Sequence, residues 1–458
     1  MQKRERLSSR LGFVLLSAGC AIGLGNIWRF PYIAGQYGGA FFVLLYLLFL
    51  VILGLPIMTM EFSVGRASQA SVATSFQKLE PKGSKWGLYS WFGMAGNYLL
   101  MMFYTTISGW ILYYLFYMIR GDFEGLSVES VGAVFDAHTG SAFHNVFGMV
   151  IVCLLSFGIC ALGLQNGVER ITKIMMSCLL FIMIALAIRT VTLPGAVEGI
   201  KFYLLPTLDG VKEHGLWTVI HAAMGQSFFT LSLGIGSMAI FGSYLGKDRR
   251  LFGESVNVVM LDTFVAIMAG LIIFPACFAY GVSPNAGPGL VFVTLPNVFS
   301  SMPLSQLWGG LFFLFMSFAA LSTVIAVFEN IIAFAMDKTG CSRRKAVAIN
   351  LVAIIILSVP CALGFNVLSD FTLLGGVLDL EDFIVSNNLL PLGSMVYLLF
   401  CVSKKGWGWE NFLAEVDTGK GLKFPRVIKP YLKFVLPIIV LVVFVLGYIQ
   451  KFKPEWFG

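Results

Sequence analysis

The chain has 458 residues, of which 58% are apolar and 12% charged, with a mean hydropathy of +0.85. A water-soluble domain spends about a quarter of its residues on Asp, Glu, Lys and Arg, so this composition excludes a soluble globular protein. The net charge of +7 does not point to nucleic acid as a partner, because the basic residues gather in alternate loops.

Crossing a hydrocarbon core takes about 20 apolar residues in a helix. Eleven such runs are predicted, at residues 11–34, 40–63, 88–119, 143–162, 171–193, 217–245, 255–281, 306–336, 346–363, 378–402 and 431–451. Together they make one all-α, polytopic domain over residues 1–458, embedded in the lipid bilayer. Lys3, Arg4, Arg6 and Arg10 precede the first run, and Lys78, Lys82 and Lys85 follow the second. Lys247, Arg249 and Arg250 follow the sixth, Lys338, Arg343, Arg344 and Lys345 the eighth, and Lys404, Lys405, Lys420, Lys423, Arg426 and Lys429 the tenth. The other loops are acidic or neutral, as at Asp122, Glu124, Glu129 and Asp136. Basic loops stay in the cytoplasm, which places the N-terminus inside and, with an odd number of spans, the C-terminus outside. The basic tail runs directly into a required span, so no cleaved signal peptide is expected. The eight cysteines lack CxxC spacing and read as small buried residues; His138, His144, His214 and His221 lack ligand spacing.

Spans one and six are cut by glycine, at Ser17-Ala18-Gly19-Cys20-Ala21-Ile22-Gly23-Leu24-Gly25-Asn26 and at Thr230-Leu231-Ser232-Leu233-Gly234-Ile235-Gly236-Ser237. Glycine costs about 1 kcal/mol relative to alanine in a helix interior, and opened backbone survives at membrane depth only where protein or a cavity supplies its partners. Small residues at such spacing also serve close helix packing. The separation of five spans favours the other reading, an inverted-topology pair with facing broken helices. The repeats then cover roughly residues 8–195 and 215–403, with an additional span near 431–451. Charge inside a span costs on the order of 2.5 to 3.5 kcal/mol, so Arg29, Glu61, Asp262, Glu329, Asp379, Glu381 and Asp382 need a reason. Glu329 fits a packing ion pair equally well; Asp262, deep in its span, reads as functional.

The run Arg10-Leu11-Gly12 through Ala18 to Pro31 resembles the first-span signature of the neurotransmitter:sodium symporter family, and Gly225-Gln226-Ser227-Phe228-Phe229-Thr230-Leu231-Ser232-Leu233-Gly234 is similar to its sixth span. The resemblance runs through spans one to ten. It implies a LeuT-like fold, a 5+5 inverted repeat with broken helices one and six plus an eleventh span, as in a bacterial subgroup that carries multiple hydrophobic amino acids across the inner membrane. By resemblance, the substrate carboxylate is held by the amides of Leu24 and Gly25 and the Tyr104 hydroxyl. Helix N-termini offer unpaired N–H groups and partial positive charge to such an anion. The side chain is expected among Leu100, Phe103, Phe229, Ser232, Ile235, Val324 and Val327, an apolar set suited to a hydrophobic L-amino acid, with Ala21, Thr230 and Thr323 also expected at the bound substrate.

Two Na+ sites are implied by the same resemblance. One uses the Ala21 carbonyl, Asn26, Thr230, Asp262 and the substrate carboxylate; the other uses the carbonyls of Gly19, Ile22 and Ala319 with the hydroxyls of Ser322 and Thr323. Sharing the carboxylate couples ion and substrate reciprocally. Asp262 stands where the family commonly has Asn, and Ala266 follows one turn on, so the carboxylate is expected to replace the chloride other members need. Gates are expected from Arg29 with Asp382 outside, and from Arg4 with Asp337 inside, helped by Ser243 and Tyr244. Glu61 is expected to buttress the opened backbone of span six. Ser177 replaces a proline that loosens span five in many relatives. The rival classes are an ion channel and a membrane-embedded enzyme; no ring of pore-lining charges or carbonyl repeats marks the first, and no HExxH or GxSxG motif marks the second.

Overall fold

The computed structural model describes residues 5–282 and 289–453. Among these, nine helices are long and apolar enough to cross a membrane. A further pair, Arg10–Ala21 and Gly25–Gln36, forms the first span with a bend of 56°. The sixth span consists of Leu216–Thr230 and Ser237–Ser243, separated by a turn. The others are Ala40–Ser68, Trp86–Arg120, Ala142–Ala161, Leu164–Val191, Leu251–Ala279, Ser305–Thr339, Arg343–Leu363, Val377–Val402 and Arg426–Phe452.

Local chemistry sets the ends. Ser9 caps the first span by accepting from the amide of Gly12 (3.0 Å), and Ser141 caps the fourth by accepting from His144 (3.4 Å); such side-chain oxygens satisfy amides that have no partner within the helix. Two spans run beyond the predicted limits because polar residues there are satisfied internally. The fifth starts at Leu164 rather than 171, through Gln165 and Glu169; Glu169 accepts from the Ser8 amide (2.7 Å), the Ser8 hydroxyl (2.6 Å) and the Ser9 hydroxyl (3.2 Å). The second continues past Arg66, whose buried guanidinium pairs with Glu415. The eleventh starts at Arg426 rather than 431. Ser177 lies in an unbroken stretch of the fifth span.

The bundle has a centre and a rim. The share of the span buried is 78% for the eighth and 67% for the third but 28% for the eleventh, so the eighth and third line the core against the broken spans while the eleventh faces lipid. Short helices cap the face opposite the basic loops: Val128–Thr139, Ala196–Leu204, Asp209–His214 and, described from Leu290 onward, Leu290–Ser300. On the basic face, a helix at Trp409–Val416 lies between the tenth and eleventh spans.

Candidate substrate and ion site

The turn in the sixth span exists because three residues adopt left-handed backbone: Ser232 (φ 50°), Gly234 (φ 87°) and Gly236 (φ 80°). Gly234 admits no side chain, since a Cβ there would meet the Leu390 carbonyl oxygen at 2.2 Å. The opened peptide groups are partnered from neighbouring spans, as membrane depth requires. Glu61 accepts from the Gly234 amide, Tyr89 donates to the Gly234 carbonyl, and Asn97 donates to the Ile235 carbonyl (2.7 Å). Glu61 therefore buttresses the break, as expected.

The break in the first span faces this turn. The Leu24 amide donates to the Tyr104 hydroxyl oxygen (2.9 Å), and the Gly23 amide to Asn26 Oδ1 (3.3 Å). Between the two breaks lies a cavity of about 20 Å³, lined by Cys20, Ala21, Gly23, Gly25, Leu100, Tyr104, Phe229, Ser232, Thr323 and Leu390. That volume is on the order of what one water needs, so a substrate enters only if a wall such as Phe229 or Leu390 moves. Leu24, Phe103, Thr230, Ile235, Val324 and Val327 are buried but do not line this cavity. Ile235 instead turns to the third span, its Cγ2 lying 2.5 Å from where a Cβ on Gly96 would stand. Cys20, Gly23 and Leu390 were not expected from the sequence. Pro391 and Gly393 in mid-span were the available signal for Leu390: a Cβ on Gly393 would lie 1.8 Å from the Gly234 oxygen.

Two oxygen clusters flank the cavity. In one, Asp262 Oδ1 accepts from Asn26 Nδ2 (2.9 Å) and Oδ2 from the Thr230 hydroxyl (3.2 Å), all fully or almost fully buried. In the other, the Thr323 hydroxyl lies within 3.5 Å of four carbonyl oxygens, those of Gly19 (3.2 Å), Cys20 (3.5 Å), Ile22 (3.3 Å) and Ala319 (3.3 Å). One hydroxyl proton cannot satisfy four carbonyls, so the lone pairs converge as a small hard cation would require. The Ser322 hydroxyl donates to Ala319 (2.9 Å) beside it.

On the face opposite the basic loops, Arg29 Nη1 lies 3.9 Å from Asp382 Oδ1, with Ser386 between them, accepting from Arg29 (3.2 Å) and donating to Asp382 (2.7 Å). The guanidinium also covers the Phe229 ring at 4.1 Å, tying this pair to the cavity wall. Above it is a second cavity of about 180 Å³. On the basic face, Arg4 lies outside the described residues, so its pairing with Asp337 is outside them too. Asp337 accepts from the Ser71 amide (2.7 Å). Tyr244 donates to Glu329 (2.7 Å), which pairs with Arg343. Ser243 donates to its own helix at Ile240 (2.7 Å). The sequence reading left Glu329 open; the structure makes it the acceptor that joins spans six, eight and nine.

The model of the sodium:neurotransmitter symporter family matches residues 4–125 and 137–458. An uncharacterized sodium-dependent transporter of Bacillus subtilis, YhdH, is 36% identical over 446 residues, covering 97% of each chain. Another from Haemophilus influenzae is 33% identical over 458 residues, covering 97% of this chain and 98% of its own. Among solved structures, MhsT in complex with L-phenylalanine is 41% identical with a TM-score of 0.87, covering 97% of this chain and 100% of that one. The architecture is thus the LeuT fold, with broken helices one and six. The chain belongs to the sodium:neurotransmitter symporter family and is a multi-pass, sodium-dependent membrane transporter rather than an enzyme.

Proposed function

We propose that this transporter couples two sodium ions to the uptake of a hydrophobic L-amino acid by alternating access, without chloride, in a bacterial inner membrane whose cytoplasmic side is the basic face. The observation that carries this reading is the cavity between the two breaks. The Tyr104 hydroxyl, which accepts from the Leu24 amide, gives it a polar wall, and Leu100, Phe229 and Leu390 give it apolar ones. A zwitterion with an apolar side chain matches that division. The L-phenylalanine bound by MhsT supports the aromatic end of the range.

The residues supply distinct parts of the cycle. The carboxylate of the substrate joins Asn26, Thr230, Asp262 and the Ala21 carbonyl around one ion, and Thr323 with its ring of carbonyls and Ser322 holds the other. Each ligand then raises affinity for its neighbour, and linkage makes the effect mutual. The buried Asp262 carboxylate supplies the fixed negative charge that would otherwise come from an anion. Arg29, Ser386 and Asp382 close the outer path through a partly exposed ion pair, a contact that contributes about 0 to 1 kcal/mol and so opens readily. Gly25, which lines the cavity, completes the carboxylate end.

The test is uptake into proteoliposomes under an inward sodium gradient. Labelled L-phenylalanine or L-leucine is expected to accumulate above equilibrium with sodium and not with potassium, and to do so unchanged when gluconate replaces chloride. Tryptophan, tyrosine and leucine should compete better than alanine. Equilibration without accumulation, or collapse of uptake in gluconate, would overturn the respective part of the reading.

A further inference from the structure

The segment joining the tenth and eleventh spans, residues 403–425, is more than a connector. Its helix Trp409–Val416 buries Trp409, Phe412, Leu413 and Val416 against the bundle. Outside that helix the pattern inverts. Within the segment Leu422 is 57% exposed beside exposed Lys420 and Lys423, and just past it, where the eleventh span opens, Val427 (86%) and Phe434 (60%) stand bare beside exposed Arg426 and Lys433. Apolar side chains alternating with lysine and left bare are costly in water and favourable at a headgroup boundary. Arg426 and Lys429 have acidic neighbours at 3.6 Å, Asp417 and Glu410. Lys404, Lys405, Lys420 and Lys423 are exposed and, among the described residues, in no ion pair.

We propose that this segment binds anionic phospholipid headgroups in the leaflet on the basic face. Continuity selects the occupant: the eleventh span begins at Arg426 and must enter the bilayer here, so the bare Leu422 and Val427 already lie at headgroup depth. The charge selects the lipid, because four unneutralised lysines beside a membrane surface attract anionic headgroups at about 1 kcal/mol, or about fivefold, per residue. The same segment also grips the loop after the broken sixth span. The Lys420 amide donates to the Asp248 carbonyl (2.9 Å), the Arg250 amide to the Lys420 carbonyl (3.1 Å), and the Arg250 guanidinium to the Asp417 (3.0 Å) and Gly421 (2.7 Å) carbonyls. Lipid held by Lys420 and Lys423 therefore steadies the residues that leave the sixth span.

Native mass spectrometry of the intact protein with phosphatidylglycerol or phosphatidylcholine tests this without reference to any transported substrate. The wild type is expected to retain phosphatidylglycerol preferentially, and K420Q/K423Q to lose about tenfold or more of that preference. R344Q/K345Q, which removes two exposed charges from another basic loop, is expected to keep it. Phosphatidylglycerol should also slow amide exchange at residues 246–250 in the wild type and not in K420Q/K423Q. Equal loss in both double variants, unchanged retention in K420Q/K423Q, or displacement of the lipid by millimolar inorganic phosphate would each overturn the proposal. Leu422→Ser with Val427→Ser keeps every charge and guards against a folding defect: weakened retention supports bilayer docking, and undiminished retention contradicts it.

Discussion

Fully buried in the seventh span, Asp262 accepts from Asn26 of the first span and Thr230 of the sixth, so both its oxygens are engaged by groups beside the two breaks. Removing the carboxylate leaves those donors without an acceptor, at about 1 to 3 kcal/mol for a buried polar group. Asp262→Ala is therefore expected to raise the sodium concentration for half-maximal uptake by roughly tenfold or more, read from sodium titration in proteoliposomes. Asp262→Asn keeps the shape and loses the charge, and its uptake should become stimulated by chloride. An unchanged sodium titration for Asp262→Ala would remove the residue from the ion site. Asp262 was legible in the sequence because a carboxylate in an apolar run stands out energetically. Cys20 was not, since an apolar residue among apolar residues has no local mark of facing a cavity, and for Leu390 the only mark was the neighbouring Pro391 and Gly393.

At the scale of elements, the breaks were visible as glycine clusters, whereas the packing of the short helices on the face opposite the basic loops was not. Helix Val128–Thr139 docks through His138, which is buried beneath Tyr113 (ring centroids 4.6 Å) and parallel to His144 (5.4 Å), with Tyr117 at 6.2 Å. Burial and the neighbouring His144 push the His138 pKa down to about 4. An undocked helix would leave this imidazole near its ordinary value of about 6.5. The docked state binds fewer protons, so its stability is fully present above about pH 6.5 and declines as pH falls toward 4. Phe135 of this helix stacks on Phe292 (5.2 Å), which in turn contacts Trp28, the residue before Arg29 (6.1 Å). Thiol labelling of a Val131→Cys variant, at a position buried in the docked helix, taken as a ratio to the labelling of a fully exposed cysteine at the same pH because only the thiolate reacts, is expected to accelerate between pH 7 and 5, and adding His138→Phe should flatten that dependence. Identical pH profiles with and without His138 would contradict this. Histidines without ligand spacing drew no expectation from the sequence, because their environment comes from the third and fourth spans rather than from their neighbours in the chain.

For the molecule as a whole, the eleven proposed crossings predict that the two ends of the chain lie on opposite faces. Reporter fusions at the two termini should therefore give opposite signals, with a cytoplasmic-active reporter lit at the N-terminus and a periplasmic-active one at the C-terminus; matching signals would mean that a span has been miscounted. The number, order and approximate limits of the spans, and the two places where helices open, were determined by the sequence alone. In a bilayer each backbone segment must satisfy its own hydrogen bonds, so hydropathy and glycine placement act locally and can be read locally. The tertiary structure alone decided which apolar side chains face the cavity, that Glu329 takes Tyr244 and Arg343 together, and that the Cys20 carbonyl joins those of Gly19, Ile22 and Ala319 at Thr323. Those outcomes depend on how the third, eighth and tenth spans pack around the two breaks, and residues hundreds of positions apart carry no local trace of their meeting.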